Sequence, residues 1–235
     1  MWTAPRRVEP EWLDVLRPED PQAVRSRKDL RRLNVWMLQA GTMARALAKY
    51  WGQGTPRSLL DLGAGDGTFI LDVAQRLAPR WRGVTISLLD RQDIVSAETR
   101  QAFLSLGWNV KSITADVFNF LEHSTDVDVI TANLFLHHFP CAQLTRLLDL
   151  STQRTRLFVA CEPRRAAAAN VASRLLWAIG CNHVTRHDAA VSVRAGFNDK
   201  QLSDLWPKSE GWALHERAAP PFTHCFAARR TEAPT

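Results

Sequence analysis

Along the chain, short apolar runs that end on an acid, an amide or a glycine alternate with runs whose apolar positions recur every three or four residues. Ser58–Asp61, Val84–Asp90, Val110–Asp116, Val127–Asn133 and Leu157–Glu162 read as strands. Between them, Phe69, Ile70, Val73, Ala74 and Leu77 mark one face of a helix that Pro79 stops. A second helix spans Glu98 to Leu106 and ends at Gly107; a third runs from Pro140 to about Gln153. Mostly apolar strands alternating with helices predict a parallel sheet covered on both faces.

The flanks follow a different pattern. The first twenty residues hold Pro5, Pro10 and Pro18 among charges and read as a loop or loosely packed arm. Leu30, Leu33, Met37 and Leu38 place a helical pattern between Pro21 and about Lys49. After the fifth strand, Arg164–Gly180 reads as helix, Asn182–Phe197 as irregular and Asp199–Trp206 as a short helix. Trp212–Glu216 and His224–Ala228 read as a terminal antiparallel pair. The chain divides into an N-terminal arm and helical lid over residues 1–57 and a catalytic-type α/β domain over 58–235, with a cap insertion at 163–198.

Composition narrows the class without choosing a function. The chain has 235 residues, 46% of them apolar and 23% charged, which is ordinary globular usage and excludes a disordered or collagen-like chain. No apolar run reaches the roughly 18 residues of a membrane span, and no apolar leader is visible, so a cytoplasmic protein is expected. Cys141, Cys161, Cys181 and Cys225 show no CxxC spacing, so reduced thiols and no metal are expected. The net charge is +6. Residues 1–57 carry 11 bases and 6 acids, 58–162 carry 9 and 12, and 163–235 carry 10 and 6. The basic excess therefore lies outside the strand-rich core.

The sharpest local feature is Leu59-Leu60-Asp61-Leu62-Gly63-Ala64-Gly65-Asp66-Gly67-Thr68. Glycines at 63, 65 and 67 allow a tight strand-to-helix turn and a close backbone approach to a ligand. A dinucleotide fingerprint would place a small residue at 68, where Thr68 stands, and no GK[ST] follows for a P-loop. Asp61, Asp90, Asp116 and Asn133 each end an apolar run, at separations of 29, 26 and 17 residues. In an open α/β sheet, strand carboxyl ends border the binding crevice, so these four side chains are expected to converge. A carboxylate there can accept from ribose hydroxyls (Asp90) or an adenine amine (Asp116), while Asp61 can orient the loop or meet an ammonium. Simple turn capping is the competing role for each acid.

These residues, followed by Asn133-Leu134-Phe135-Leu136-His137-His138-Phe139, resemble the class I S-adenosylmethionine-dependent methyltransferases over about Leu30–Ala228. The resemblance implies a Rossmann-like, doubly wound, mostly parallel seven-stranded sheet with an antiparallel last strand. It implies S-adenosylmethionine as cofactor, held by Asp61, Gly63, Ala64, Gly65, Gly67, Asp90 with Arg91, Asp116 with Val117, and Asn133 with Leu134. Base-amine methyltransferases carry an Asn-Pro-Pro-aromatic motif that Asn133-Leu134-Phe135-Leu136 lacks. The Leu136-His137-His138-Phe139 run is instead similar to the quinone and polyketide branch. A small, aromatic or polyketide-like metabolite methylated on oxygen is the expected acceptor. An RNA methyltransferase, suggested by the charge, and a non-catalytic partner with the same fold are the alternatives.

Candidate catalytic groups are His137, His138, His187, Asp188 and Arg194, able to supply a base, its orienting carboxylate and an anion partner. If His137 and His138 lie in extended chain, only one of them faces the site. For His187, Asp188 and Arg194, a structural loop is the competing role. Trp2, Trp12, Trp36 and Trp51 could wall an aromatic lid or pack helices; Arg25, Arg27, Lys28, Arg31 and Arg32 fit a solvated helix face. No carboxylate cluster of the kind a metal-dependent catechol mechanism needs is visible.

Overall fold

The computed structural model describes residues 5–208 and 210–231. Seven strands form one sheet: β1 Ser58–Leu62, β2 Thr85–Asp90, β3 Asn109–Thr114, β4 Val127–Asn133, β5 Thr155–Pro163, β6 Trp212–Ala219 and β7 Thr223–Arg230. Their order is β3-β2-β1-β4-β5-β7-β6. β1 to β5 are parallel, and β7 runs antiparallel between β5 and β6. Because β1 pairs with β2 on one side and β4 on the other, the strand order reverses there, and a crevice opens at their carboxyl ends.

Strand alternation divides the core in two. Leu59, Ile86, Val129, Leu157 and Val159 pack with Met43, Leu47, Val73 and Phe103 on one face. That face is covered by α3 Gln39–Trp51, α4 Thr68–Leu77 and α5 Ala97–Ser105. Leu60, Leu62, Ile130, Phe158 and Phe226 pack with Leu121, Leu147, Leu202 and Trp206 on the other. There α6 Val117–His123, α7 Cys141–Arg154 and α10 Gln201–Leu205 close the layer.

The flanks depart from the sequence pattern in four places. The Pro21–Lys49 pattern is two helices, α2 Pro21–Trp36 and α3, broken where Leu38 takes a left-handed φ of 54°. The arm carries a short α1, Trp12–Val15. The Arg164–Gly180 helix is shorter, α8 Ala167–Arg174 followed by a 3-10 turn at Leu176–Ile179. The stretch read as irregular is α9, His183–Ala195, capped by Asn182 accepting from Thr185 N. Its buried face is Val184, Asp188, Val191 and Ala195. A charged residue on that face hid the helical period from the apolar pattern. Among the described residues no helix is long and apolar enough to cross a membrane.

Candidate functional site

A cleft of about 930 Å³ opens at the carboxyl ends of β1, β2 and β4 and reaches under the N-terminal arm. That is at the upper end of the roughly 300–1,000 Å³ usual for ligand pockets. Its inner end is the glycine loop. Gly63 and Gly65 hold φ of 67° and 56°, which bare backbone adopts without penalty. A Cβ on Gly63 would sit 2.2 Å from Phe135 Cδ2, so the loop packs directly on that ring. A Cβ on Gly65 would meet no atom within 4 Å, so the backbone there is uncovered toward the cleft.

Polar strand ends surround the loop. Asp90 accepts from Gly65 N at 2.8 Å and from Gln92 N at 2.9 Å, so it fixes the loop while bordering the cleft. Asp61 is buried and accepts from the Thr131 hydroxyl at 2.6 Å. Burial raises its pKa to about 7 against that hydrogen bond, and the charge of Asp90 adds to the rise. Asp116 caps α6, its Oδ1 accepting from Phe118 N and Asn119 N. Asn133 Oδ1 is buried without a hydrogen-bond partner. An orphaned acceptor in a cleft wall suits a ligand donor. Leu134, at φ 51°, follows it in a conformation strained for a branched residue. Of the eleven residues expected to hold a cofactor, ten line the cleft. Gly67 does not: it caps α4 with a φ of 75° and backs onto Leu88 and Thr99.

The two adjacent histidines lie in a 3-10 turn, Leu136–His138, not in extended chain. Glu162, at the end of β5, builds that turn. Its buried carboxylate accepts from Phe135 N, Leu136 N and His137 N at 3.0, 2.8 and 3.3 Å, and from His137 Nδ1 at 2.8 Å. Glu11 of the arm lies 3.2 Å from His137 Nε2 and also accepts from the Ser192 hydroxyl. Burial alone would lower the His137 pKa. The hydrogen bonds to Glu11 and Glu162 outweigh it and raise the value to about 9. His137 is therefore a buried imidazolium with both nitrogens engaged, and it does not line the cleft. His138 does, with its Nδ1 3.2 Å from Asp14 Oδ2.

His187, Asp188 and Arg194 are placed elsewhere. On α9, His187 stacks on Trp12 with centroids 3.8 Å apart and contacts Asp188 through Nδ1 at 2.9 Å. Asp188 accepts from Trp12 N and Leu13 N at 2.9 and 3.0 Å. Arg194 pairs with Glu9 at 3.0 Å. These three side chains anchor the arm and do not reach the cleft. Trp2 lies outside the described residues. Trp12, Trp36 and Trp51 do not line the cleft, whose aromatic wall is Phe69, Phe135 and Phe139. Arg27 and Arg31 border it, Arg31 3.4 Å from Asp66.

Sequence reasoning missed Glu162, Glu11 and Asp14. Glu162 was within reach, because it ends an apolar run as Asp90 and Asn133 do. Glu11 and Asp14 carry no such signal and join the site only because the arm folds over the histidine turn.

Comparison with known proteins agrees with this geometry. Residues 59–156 match a family model described as a methyltransferase domain. No curated protein matches the chain by sequence. The plantazolicin methyltransferase BpumL in complex with S-adenosylhomocysteine is similar, with 15% identity, a TM-score of 0.65, and coverage of 90% of this chain and 91% of that one. An O-methyltransferase family protein from Burkholderia thailandensis gives 15%, 0.61, 92% and 62%. Magnesium protoporphyrin IX methyltransferase ChlM from Synechocystis PCC 6803, with S-adenosylhomocysteine, gives 13%, 0.54, 87% and 86%. At these identities the likeness establishes the fold.

Proposed function

We propose that this chain, whose residues 59–156 match a methyltransferase domain, is a class I S-adenosylmethionine-dependent enzyme that methylates a hydroxyl of a small aromatic or polyketide-like metabolite. The observation that carries this reading is the single cleft running from the bare backbone of Gly65 to the imidazole of His138. One end suits the cofactor and the other suits an acceptor, with Phe135 and Phe139 between them.

The residues present fit the cofactor. The uncovered Gly65 backbone, the orphaned Asn133 Oδ1 and the carboxyl of Asp61 suit an amino-acid group with an ammonium. Asp90 and Asp116 keep acceptor lone pairs for ribose hydroxyls and an adenine amine. When bound, S-adenosylmethionine supplies an electrophilic methyl group. The protein's own work is to align the acceptor, exclude water and take a proton.

His138 takes that proton in our reading. Its Nδ1 lies 3.2 Å from Asp14 Oδ2, and a proton held on that side leaves Nε2 as the acceptor. The acceptor hydroxyl gives its proton to Nε2 as the oxygen becomes the nucleophile. His137 cannot share this role, since it is already protonated and held between two carboxylates. The arm and α2 act as the lid, because Val8–Pro10, Leu13, Asp14 and Leu30 wall the cleft. The cap helix α9 acts at one remove, by holding the arm.

Calorimetric titration with S-adenosylhomocysteine, then turnover against a panel of phenols and hydroxylated polyketides, tests the reading. Binding should be seen, and His138→Ala should lower kcat on any accepted phenol while leaving S-adenosylhomocysteine affinity within about threefold. No binding of S-adenosylhomocysteine refutes it. Tight RNA binding that falls steeply with salt would replace it with an RNA substrate.

A further inference from the structure

We propose that Glu11, His137 and His138 form a binding site for one divalent transition-metal ion of the zinc type. Ligand atoms of the three side chains all lie within 4.8 Å of one another. Zinc binds imidazole nitrogen and carboxylate oxygen at about 2.0–2.2 Å, so two ligands of one ion stand roughly 3–3.5 Å apart. His137 Nε2 and Glu11 Oε1 are 3.2 Å apart, and an ion between them takes the place of the Nε2 proton, which is released to solvent. His138 borders the cleft and is half-buried, so its ring has room to close the remaining gap.

The surroundings are those of a metal centre. A metal-bound histidine donates its other ring N–H to a carboxylate, which orients the ring and raises its basicity. His137 has that arrangement, its Nδ1 2.8 Å from Glu162, and His138 has a carboxylate in the same place, its Nδ1 3.2 Å from Asp14. Glu162 is itself held by three backbone N–H groups, and Glu11 is steadied by the Ser192 hydroxyl. Two imidazoles and one carboxylate favour zinc, cobalt, nickel or ferrous iron over magnesium or calcium, which prefer all-oxygen sets. Three protein ligands leave a coordination position for a group in the cleft. Glu11 is separated from His137 by 126 residues, so the site exists only with the arm in place.

Occupancy also bears on the proposed reaction, and this consequence alone rests on the His138 reading. An ion that takes His138 Nε2 removes the proton acceptor, so bound metal suppresses a base-assisted transfer.

The test is titration of the full chain, stripped with chelator, with Co²⁺ alone, without cofactor or acceptor. The expected result is one ion per chain, with visible d–d absorption that Zn²⁺ displaces. X-ray absorption should show nitrogen and oxygen scatterers only. Asp14→Asn, at an exposed position, should weaken binding by roughly 10- to 100-fold, and His138→Ala should abolish the absorption, both with unchanged circular dichroism. No cobalt absorption in the parent overturns the proposal. So does unchanged binding in both variants, or sulfur in the scattering shell, which would place the ion on a cysteine. Because neither cofactor nor acceptor is present, failure here is separable from failure of the proposed methyl transfer.

Discussion

Replacing Gly63 and Gly65 singly by alanine separates two demands that one loop places on its glycines. Both sit at positive φ, 67° and 56°. An L-residue in that region costs about 1–2 kcal/mol. At Gly65 nothing else opposes the methyl group, since no atom lies within 4 Å. At Gly63 the new Cβ would stand 2.2, 2.8 and 2.9 Å from three carbons of the Phe135 ring. That ring is fixed between the loop and Phe139, 5.0 Å away, and its own backbone N–H is tied to Glu162. Overpacking of this kind costs about 1–3 kcal/mol more. The sums are about 1–2 kcal/mol for Gly65→Ala and about 2–5 kcal/mol for Gly63→Ala. For a chain of this length they correspond to drops in Tm of roughly 2–8 °C and 4–20 °C. Binding should follow the reverse logic. The Gly65 methyl points into the cleft, and Gly65→Val should abolish S-adenosylhomocysteine binding in a protein that still folds. Differential scanning calorimetry and titration calorimetry read the two effects. Equal melting of Gly63→Ala and Gly65→Ala would refute the packing argument. Parent-like affinity in Gly65→Val would refute placement of the cofactor beside that backbone.

Three further outcomes are expected. Asp61 is protonated more readily in the fold than in the unfolded chain, about 7 against 3.8, so ligand-free protein should lose stability as pH rises from about 4 through 7. The upper bound is about 4 kcal/mol, and Asp61→Asn should flatten that slope in denaturant titrations across pH. Asp90→Ala removes the acceptor for Gly65 N and Gln92 N and should weaken S-adenosylhomocysteine by roughly 10- to 100-fold by calorimetry; parent-like affinity would refute its role. Asp188→Ala leaves Trp12 N and Leu13 N unpaired, at about 1.5–3 kcal/mol for a charged hydrogen bond. Trypsin should then cut the arm after Arg7 at least about tenfold faster, and an unchanged rate would show that the arm is held by other contacts.

By itself, the sequence determined the core. Apolar runs of four to seven residues need both faces covered, and strands linked by helices are forced into parallel order. Tight turns at Gly63 and Gly65 need no more than local chain geometry. The crevice residues Asp61, Asp90 and Asn133 follow from strand ends alone, because a parallel sheet brings all carboxyl ends to one edge. What lies within one strand–helix unit is written locally and can be read locally.

The tertiary structure decided everything that depends on contacts between distant segments. Helix α9 was invisible as a helix because its buried face contains Asp188, and a buried charge makes sense only beside the Trp12 and Leu13 amides that satisfy it. His187, Asp188 and Arg194 therefore read as catalytic candidates, whereas in the structure they contact the arm and do not line the cleft. His137 and His138 are neighbours of one residue type, yet one is locked between Glu11 and Glu162 while the other borders the cleft. No local rule separates them. Their difference arises because a carboxylate at position 11 reaches a turn 126 residues away, and its hydrogen bond, with that of Glu162, outweighs the cost of burial and holds the proton on His137.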